Sequence, residues 1–126
     1  MAVVQPFNSR YAAYFGVTGG DGSGDIAGPW CDFSKSKVLI ANIGWGVATS
    51  TAGTLALRGS EDPALSALSI TTLTPTVVHG AQPSAGTAGS IILVCVDHPS
   101  FVQLIYTRSA GGAANQFFAW LHGRSV

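Results

Sequence analysis

Charge is what this sequence has least of. Its 126 residues include six Lys or Arg and six Asp or Glu, 10% in all, with a formal net charge of zero. An ordinary soluble domain carries about 25%. The basic residues are scattered, so the electrostatic footprint of a nucleic-acid binder is missing and no nucleic-acid partner is expected. So uncharged a surface does little to keep copies apart, which suits a chain held permanently among other subunits. No run of 18 apolar residues occurs, so neither a transmembrane helix nor a membrane partner is expected. Met1-Ala-Val-Val-Gln-Pro6 lacks a charged segment followed by an apolar one, so no signal peptide is expected either. Two cysteines do not make a disulfide framework. Cys95, inside Ile91-Ile-Leu-Val-Cys-Val96, reads as a buried free thiol. A bridge to Cys31 depends on geometry that spacing does not supply.

Catalytic patterns are missing as well. His79, His98 and His122 have no partner at metal-ligand spacing, and there is no Cys-x-x-Cys, so no metal and no cofactor are expected. Asp97-His98 is the one acid–His neighbour pair. Ahead of Pro99 it reads as a turn in which Asp97 caps the backbone. No Gly-x-Ser-x-Gly elbow stands on a strand-to-helix turn. The acids fall in loops rather than on facing strands, where glycoside hydrolysis would need them. Asp21-Gly-Ser-Gly-Asp25 lacks the spaced acids and terminal Glu of a calcium loop. Gly19 to Gly24 lacks the Lys-Ser/Thr and the helix of a phosphate loop. The expectation is therefore a protein that is not an enzyme.

What the chain does have is strand material. Nearly half its residues are hydrophobic, and 126 residues suffice for one domain with a real core. The stretch Phe101 to Trp120 holds two β-branched and aromatic runs around Ser109-Ala-Gly-Gly-Ala113, the signature of a β-hairpin. Ser36 to Trp45 reads as a strand that alternates, with Val38, Ile40 and Asn42 on one side and Leu39, Ala41 and Ile43 on the other. Both sides are largely apolar, which predicts a central, well-covered strand. Ser90 to Asp97 is a second such run. Further short strands are expected over Arg10 to Val17, Ile26 to Phe33, Thr54 to Arg58, Ser69 to Thr74 and Thr76 to His79. Glu61-Asp62-Pro63 is a turn, and Gly80 to Gly89 a loop without side chains large enough to pack. Eight or nine short strands with turn signals about every ten residues predict an all-β antiparallel sandwich, jelly-roll-like.

The chain divides into residues 1–24, an N-terminal arm with a first strand and a Gly-rich loop, and residues 25–126, the sandwich, within one domain. If the Gly tract 18–24 is a linker, the arm can reach a neighbour through Val3, Val4, Phe7, Tyr11, Tyr14 and Phe15. The aromatics Trp30, Trp45, Tyr106 and Trp120 read either as core and subunit-interface anchors or as a sugar-stacking platform.

Three segments resemble one family as a set: Gly53-Thr-Leu-Ala-Leu-Arg-Gly-Ser-Glu-Asp62, Ser90-Ile-Ile-Leu-Val-Cys-Val96, and His98-Pro-Ser-Phe-Val-Gln-Leu-Ile-Tyr-Thr-Arg-Ser-Ala-Gly-Gly112. In order and spacing they resemble the small β-sandwich virion structural proteins of tailed bacteriophages. The resemblance spans roughly residues 36–121, and the chain departs from it at Pro63-Ala-Leu65. It implies a virion location and a capsid decoration (cement) protein, or a head or tail accessory protein. The implied partners are the major capsid protein or other virion proteins, and the implied state is a homo-oligomer, a trimer. The alternative is a carbohydrate-binding β-sandwich module, virion-borne or not.

Overall fold

A computed structural model describes residues 3–4, 10–14, 26–45, 52–83, 89–110 and 117–124. Among them lie ten strands: β1 (Val3–Val4), β2 (Arg10–Tyr14), β3 (Ile26–Asp32), β4 (Val38–Trp45), β5 (Ala52–Ser60), β6 (Thr71–Thr72), β7 (Thr76–Gly80), β8 (Gly89–Val96), β9 (Phe101–Ala110) and β10 (Phe117–Arg124). They form two sheets, ordered β1-β3-β9-β5-β6 and β2-β10-β4-β8-β7. From β2 to β5 each successive strand crosses to the other sheet. The β7–β8 hairpin then returns to the second sheet, β9 goes to the first and β10 to the second. This alternation is the jelly-roll arrangement. All pairings are antiparallel except β1 with β3.

The alternation in the sequence becomes the core directly, because successive side chains of a strand point to opposite faces. Leu39, Ala41 and Ile43 of β4, Ile91 and Leu93 of β8 and Leu121 of β10 point inward from the second sheet. They share one cluster with Leu55 and Leu57 of β5 and Val102, Leu104 and Tyr106 of β9 in the first sheet. Cys31 and Cys95 are both buried free thiols, so no bridge joins them.

The expected hairpin from Phe101 to Trp120 is not formed. β9 lies in the first sheet and β10 in the second. The reason is occupancy: β9 pairs with β3 along one edge and with β5 along the other, leaving no edge for a following strand. β10 instead fills the gap between β2 and β4.

The N-terminal segment is strand where it is described, with β2 falling within the first strand expected over Arg10 to Val17. Val3–Val4 pair with Trp30 and Cys31, and β2 pairs with β10 from Phe118 to His122. These segments form outer strands of the chain's own two sheets. Phe7, Phe15 and the Gly tract 18–24 lie outside the described residues. For Val3, Val4, Tyr11 and Tyr14 the structure describes the strand backbone.

The loop after β7 packs more than its composition foretells. The Gln82 amide accepts from Leu55 N–H (2.7 Å) and donates to Leu55 C=O (3.0 Å). Gly53 N–H donates to Pro83 C=O at 3.4 Å. Gln82 thus stands in for a neighbouring strand along part of β5 that β6 does not reach. The Glu61–Pro63 turn is present as expected. The Asp62 carboxylate accepts from the Ser66 hydroxyl (2.6 Å) and from the N–H groups of Ala64 (2.9 Å) and Ser66 (3.1 Å). Those bonds, the Ser66 hydroxyl foremost, hold its carboxyl below the ordinary carboxylate value. A 3-10 turn, Ala67–Ser69, precedes β6.

At Gly53 the core presses closely on the backbone. A Cβ there would lie 2.5 Å from Thr107 O and 2.6 Å from the Tyr106 ring. Gly53→Ala is therefore expected to lower stability by about 1–3 kcal/mol through overpacking. Urea unfolding monitored by circular dichroism checks this, and an unshifted midpoint would mean that the Tyr106 ring moves aside freely.

Candidate functional site: the outer face of the second sheet

The second sheet has one face in the core and one turned outward. Register fixes the outward rows. Trp120 of β10 stands beside Asn42 of β4, Asn42 beside Ile92 of β8, and Ile92 beside His79 of β7. The next row runs His122, Ile40, Val94, Thr76, and the one after it Arg124, Val38, Val96. Directly opposed side chains on one face have Cβ atoms about 4.5–5.5 Å apart, so these residues form a continuous surface. Trp120 is 51% and Val96 61% exposed. Asn42, His79 and Thr76 are exposed too, while Ile40, Ile92, Val94 and Val38 are half-buried. β4 is central, as its apolar alternation predicts, but its outer side is not covered as expected. β4, β7, β8 and β10 together contain one Asp, Glu, Lys or Arg, namely Arg124 at an end of β10, and the edge strand β2 adds Arg10, which pairs with His122.

Of the aromatics read as core anchors or sugar-stacking groups, Trp30, Trp45 and Tyr106 are buried and Trp120 alone is exposed. A stacking platform of several indoles is therefore not formed. The indole of Trp120 has Asn42 beside it, an aromatic plane next to an amide that can both donate and accept.

Three other places could bear chemistry. Ser36 Oγ lies 3.0 Å from His98 Nε2, and His98 Nδ1 lies 2.6 Å from Pro99 O. A carbonyl only accepts, so Nδ1 carries a proton. In the neutral ring Nε2 is then an acceptor, in competition with Phe33 O for the one proton of the Ser36 hydroxyl. This resembles a nucleophile–base pair, yet the same Ser36 hydroxyl lies 3.0 Å from Phe33 O. The Phe33 ring meets His98 edge-on, with centroids 6.4 Å apart. The pair ties the turn after β3 to the turn after β8. The adjoining Ser100 N–H and hydroxyl donate to Glu61. Asp97 contributes backbone rather than a catalytic carboxylate: its φ is +56° and its N–H donates to Lys37 O at 3.2 Å.

An open groove of about 380 Å³ runs beside β8, lined by Leu73, Thr76, Val94, Cys95 and His98 among others. Burial, and then the Asp97 charge, push the Cys95 thiol up, which disfavours the nucleophilic thiolate. Among the described residues no group of three His, Cys, Asp or Glu could hold a metal ion. The third place, around Arg58, is a buried polar row on the first sheet. Nothing adjacent in sequence connects its members; only the register of β3, β9 and β5 brings them together. The outer apolar face, by contrast, had a signal in the alternation of Val38, Ile40 and Asn42 with Ile92, Val94 and Val96.

No family model and no curated protein sequence matches the chain. Solved structures to which the chain is similar include the K1 cleaved adhesin domain of Lys-gingipain from Porphyromonas gingivalis. It is 11% identical over 79% of this chain, with a TM-score of 0.41. The chain spans 63% of that domain's length. A carbohydrate-binding module specific for non-crystalline cellulose is 11% identical over 93% of this chain and 75% of its own, with a TM-score of 0.46.

Burial pushes the Cys31 thiol from 9.0 up to about 12. The unfolded chain therefore releases this proton first, and the stabilisation from keeping Cys31 neutral is complete below pH 9 and lost between pH 9 and about 12. In the folded protein at pH 8, Cys31 is expected to resist a thiol reagent and to react on adding urea. Rapid modification of Cys31 without denaturant would contradict its burial.

Proposed function

We propose that this chain is a non-enzymatic binding protein of a virion, a capsid decoration protein that attaches through the outer face of its second sheet. The observation that carries the reading is that face: Val38, Ile40, Ile92, Val94, Val96 and Trp120 form an apolar surface, with Arg124 at the end of β10 and Arg10 of β2 opposite His122 at its margin. Covering apolar area is worth roughly 25 cal/mol per Å², and a permanent subunit interface is distinguished by an uncharged core with aromatic anchors. The kind of partner comes from the motif resemblance of Gly53 to Asp62 and His98 to Gly112, which supports the major capsid protein or another virion protein. Self-association into a trimer fits the same low charge and belongs to this proposal.

One observation favours a second reading, carbohydrate binding: Trp120 is exposed beside the amide of Asn42. The two readings differ in which residues matter. Protein docking uses the whole face, whereas sugar stacking uses the indole.

Val96→Glu and Trp120→Ala both alter exposed positions and are expected to leave the fold intact. On the docking reading each weakens co-sedimentation with expanded capsid shells at least tenfold. Glycan binding abolished by Trp120→Ala but untouched by Val96→Glu would replace that reading with the second. Unchanged shell binding by both variants would remove the face from the interaction.

A further inference from the structure

On the opposite sheet, strand register brings Arg58 into a row with Trp30 and Gln103. Register places Trp30, Gln103, Arg58 and Thr72 in one row across β3, β9, β5 and β6. This row lies on the outer side of the first sheet, because the inward positions beside it belong to Val102, Leu104 and Leu57. Gln103 is 5% exposed and Trp30 1%, so both are fixed by their surroundings. The pairing of β3 with β9 shifts register between Ala27 and Trp30. Within that irregularity Gly28 C=O accepts from Gln103 Nε2 at 2.8 Å. A carbonyl accepts only, so the amide nitrogen must face Gly28 and the amide oxygen must face the other way. That oxygen accepts from Arg58 Nε at 2.6 Å. The Arg58 guanidinium also lies over the Trp30 ring, 5.8 Å from its centroid, a cation–π contact.

Arg58 is thus held at Nε and by one face of its plane, leaving its terminal edge, Nη1 and Nη2, for something else. A half-buried cation normally has an acid beside it, since desolvating a charge without a partner is costly. No carboxylate among the described residues fills that role. The Glu61 carboxylate accepts from Ser100 and the Asp62 carboxylate from Ala64 and Ser66. Trp30 Nε1, in the same cluster, is a buried donor with no partner among the described residues. A buried donor without a partner costs about 1–3 kcal/mol, so the cluster carries two donor groups in excess of its acceptors.

We propose that Arg58 is a carboxylate-binding site. The two parallel N–H groups of its terminal edge match the two oxygens of a carboxylate, and one guanidinium neutralises one such charge. Thr72, its cross-strand neighbour, is exposed and carries a further hydrogen-bonding group beside it. The Gln103 amide and the Trp30 ring preorganise the fork, so little side-chain entropy is lost on binding. The carboxylate can belong to an acidic side chain of a protein or to an acidic sugar. Either is bound by the same fork, and the site lies on the sheet opposite to the proposed docking face.

The test is an NMR titration of the whole protein at pH 7 and constant ionic strength, following the Arg58 Nε–H and Trp30 Nε1–H signals. The probes are acetate, N-acetylglutamate amide and glucuronate, with chloride as the reference anion. The expected result is a saturable shift with carboxylates in the millimolar range, at least tenfold tighter than any response to chloride. Arg58→Lys keeps the charge and removes the fork, and is expected to weaken binding at least tenfold. Tighter binding of the glutamate derivative or of glucuronate identifies which source the site prefers, and either supports the carboxylate assignment. Non-saturating drift that chloride reproduces in the unaltered protein would overturn it, whatever Arg58→Lys does to folding. Binding unchanged in a folded Arg58→Lys variant would overturn it as well.

Discussion

Leu39, Ala41, Ile43 and Leu121 from one sheet, and Leu57 and Val102 from the other, have no exposed surface at all. The rest of the molecule is arranged so that these two faces can meet. Each strand contributes one apolar side to the shared interior, and this leaves its other side available. Strand pairing satisfies the backbone groups that this burial would otherwise strand away from water. Where pairing runs out, as along β5, the amide of Gln82 completes it. The same division explains why the candidate surfaces lie where they do. A side chain that is not needed between the sheets is held at a fixed height and spacing by one that is.

The two outer faces put that freedom to opposite use. On the second sheet it exposes aliphatic groups and one indole on nearly uncharged strands. On the first sheet it assembles a polar row in which each member sets the orientation of the next, from Gly28 through Gln103 to Arg58. The first arrangement suits contact over area. The second favours a small group of defined geometry. A single small domain can present both without conflict, because the core between them isolates one from the other.

Much of the architecture was legible in the sequence because the period-two pattern is a direct consequence of how strands project their side chains. Val38 to Ile43 and Ile91 to Cys95 announced central strands, and both occupy that place. The sandwich class followed from the number and spacing of such runs. The hairpin at Phe101 to Trp120 was misread because local turn composition says nothing about whether a strand's edges are already taken. Gln82 was missed because its role is to pair with Leu55, a residue far along the chain. The Arg58 row escaped for the same reason: no local pattern connects Trp30, Arg58 and Gln103. Trp120 could be named as a candidate aromatic, but its exposure could not be separated from the burial of Trp30 and Trp45 without the register of β10 against β4.

The strand order has a consequence for how the chain reaches this state. β2 pairs with β10 and β3 with β9, so early segments bond to late ones. Few of these contacts are local, and loop-closure entropy must be overcome before most of them can form. During synthesis the early strands wait with open edges until the late ones emerge. Folding is then a closing event, on the millisecond-to-second scale of all-β topologies, rather than progressive growth from one end. The scarcity of charge becomes, in that interval, the chain's weakest defence against pairing with its neighbours.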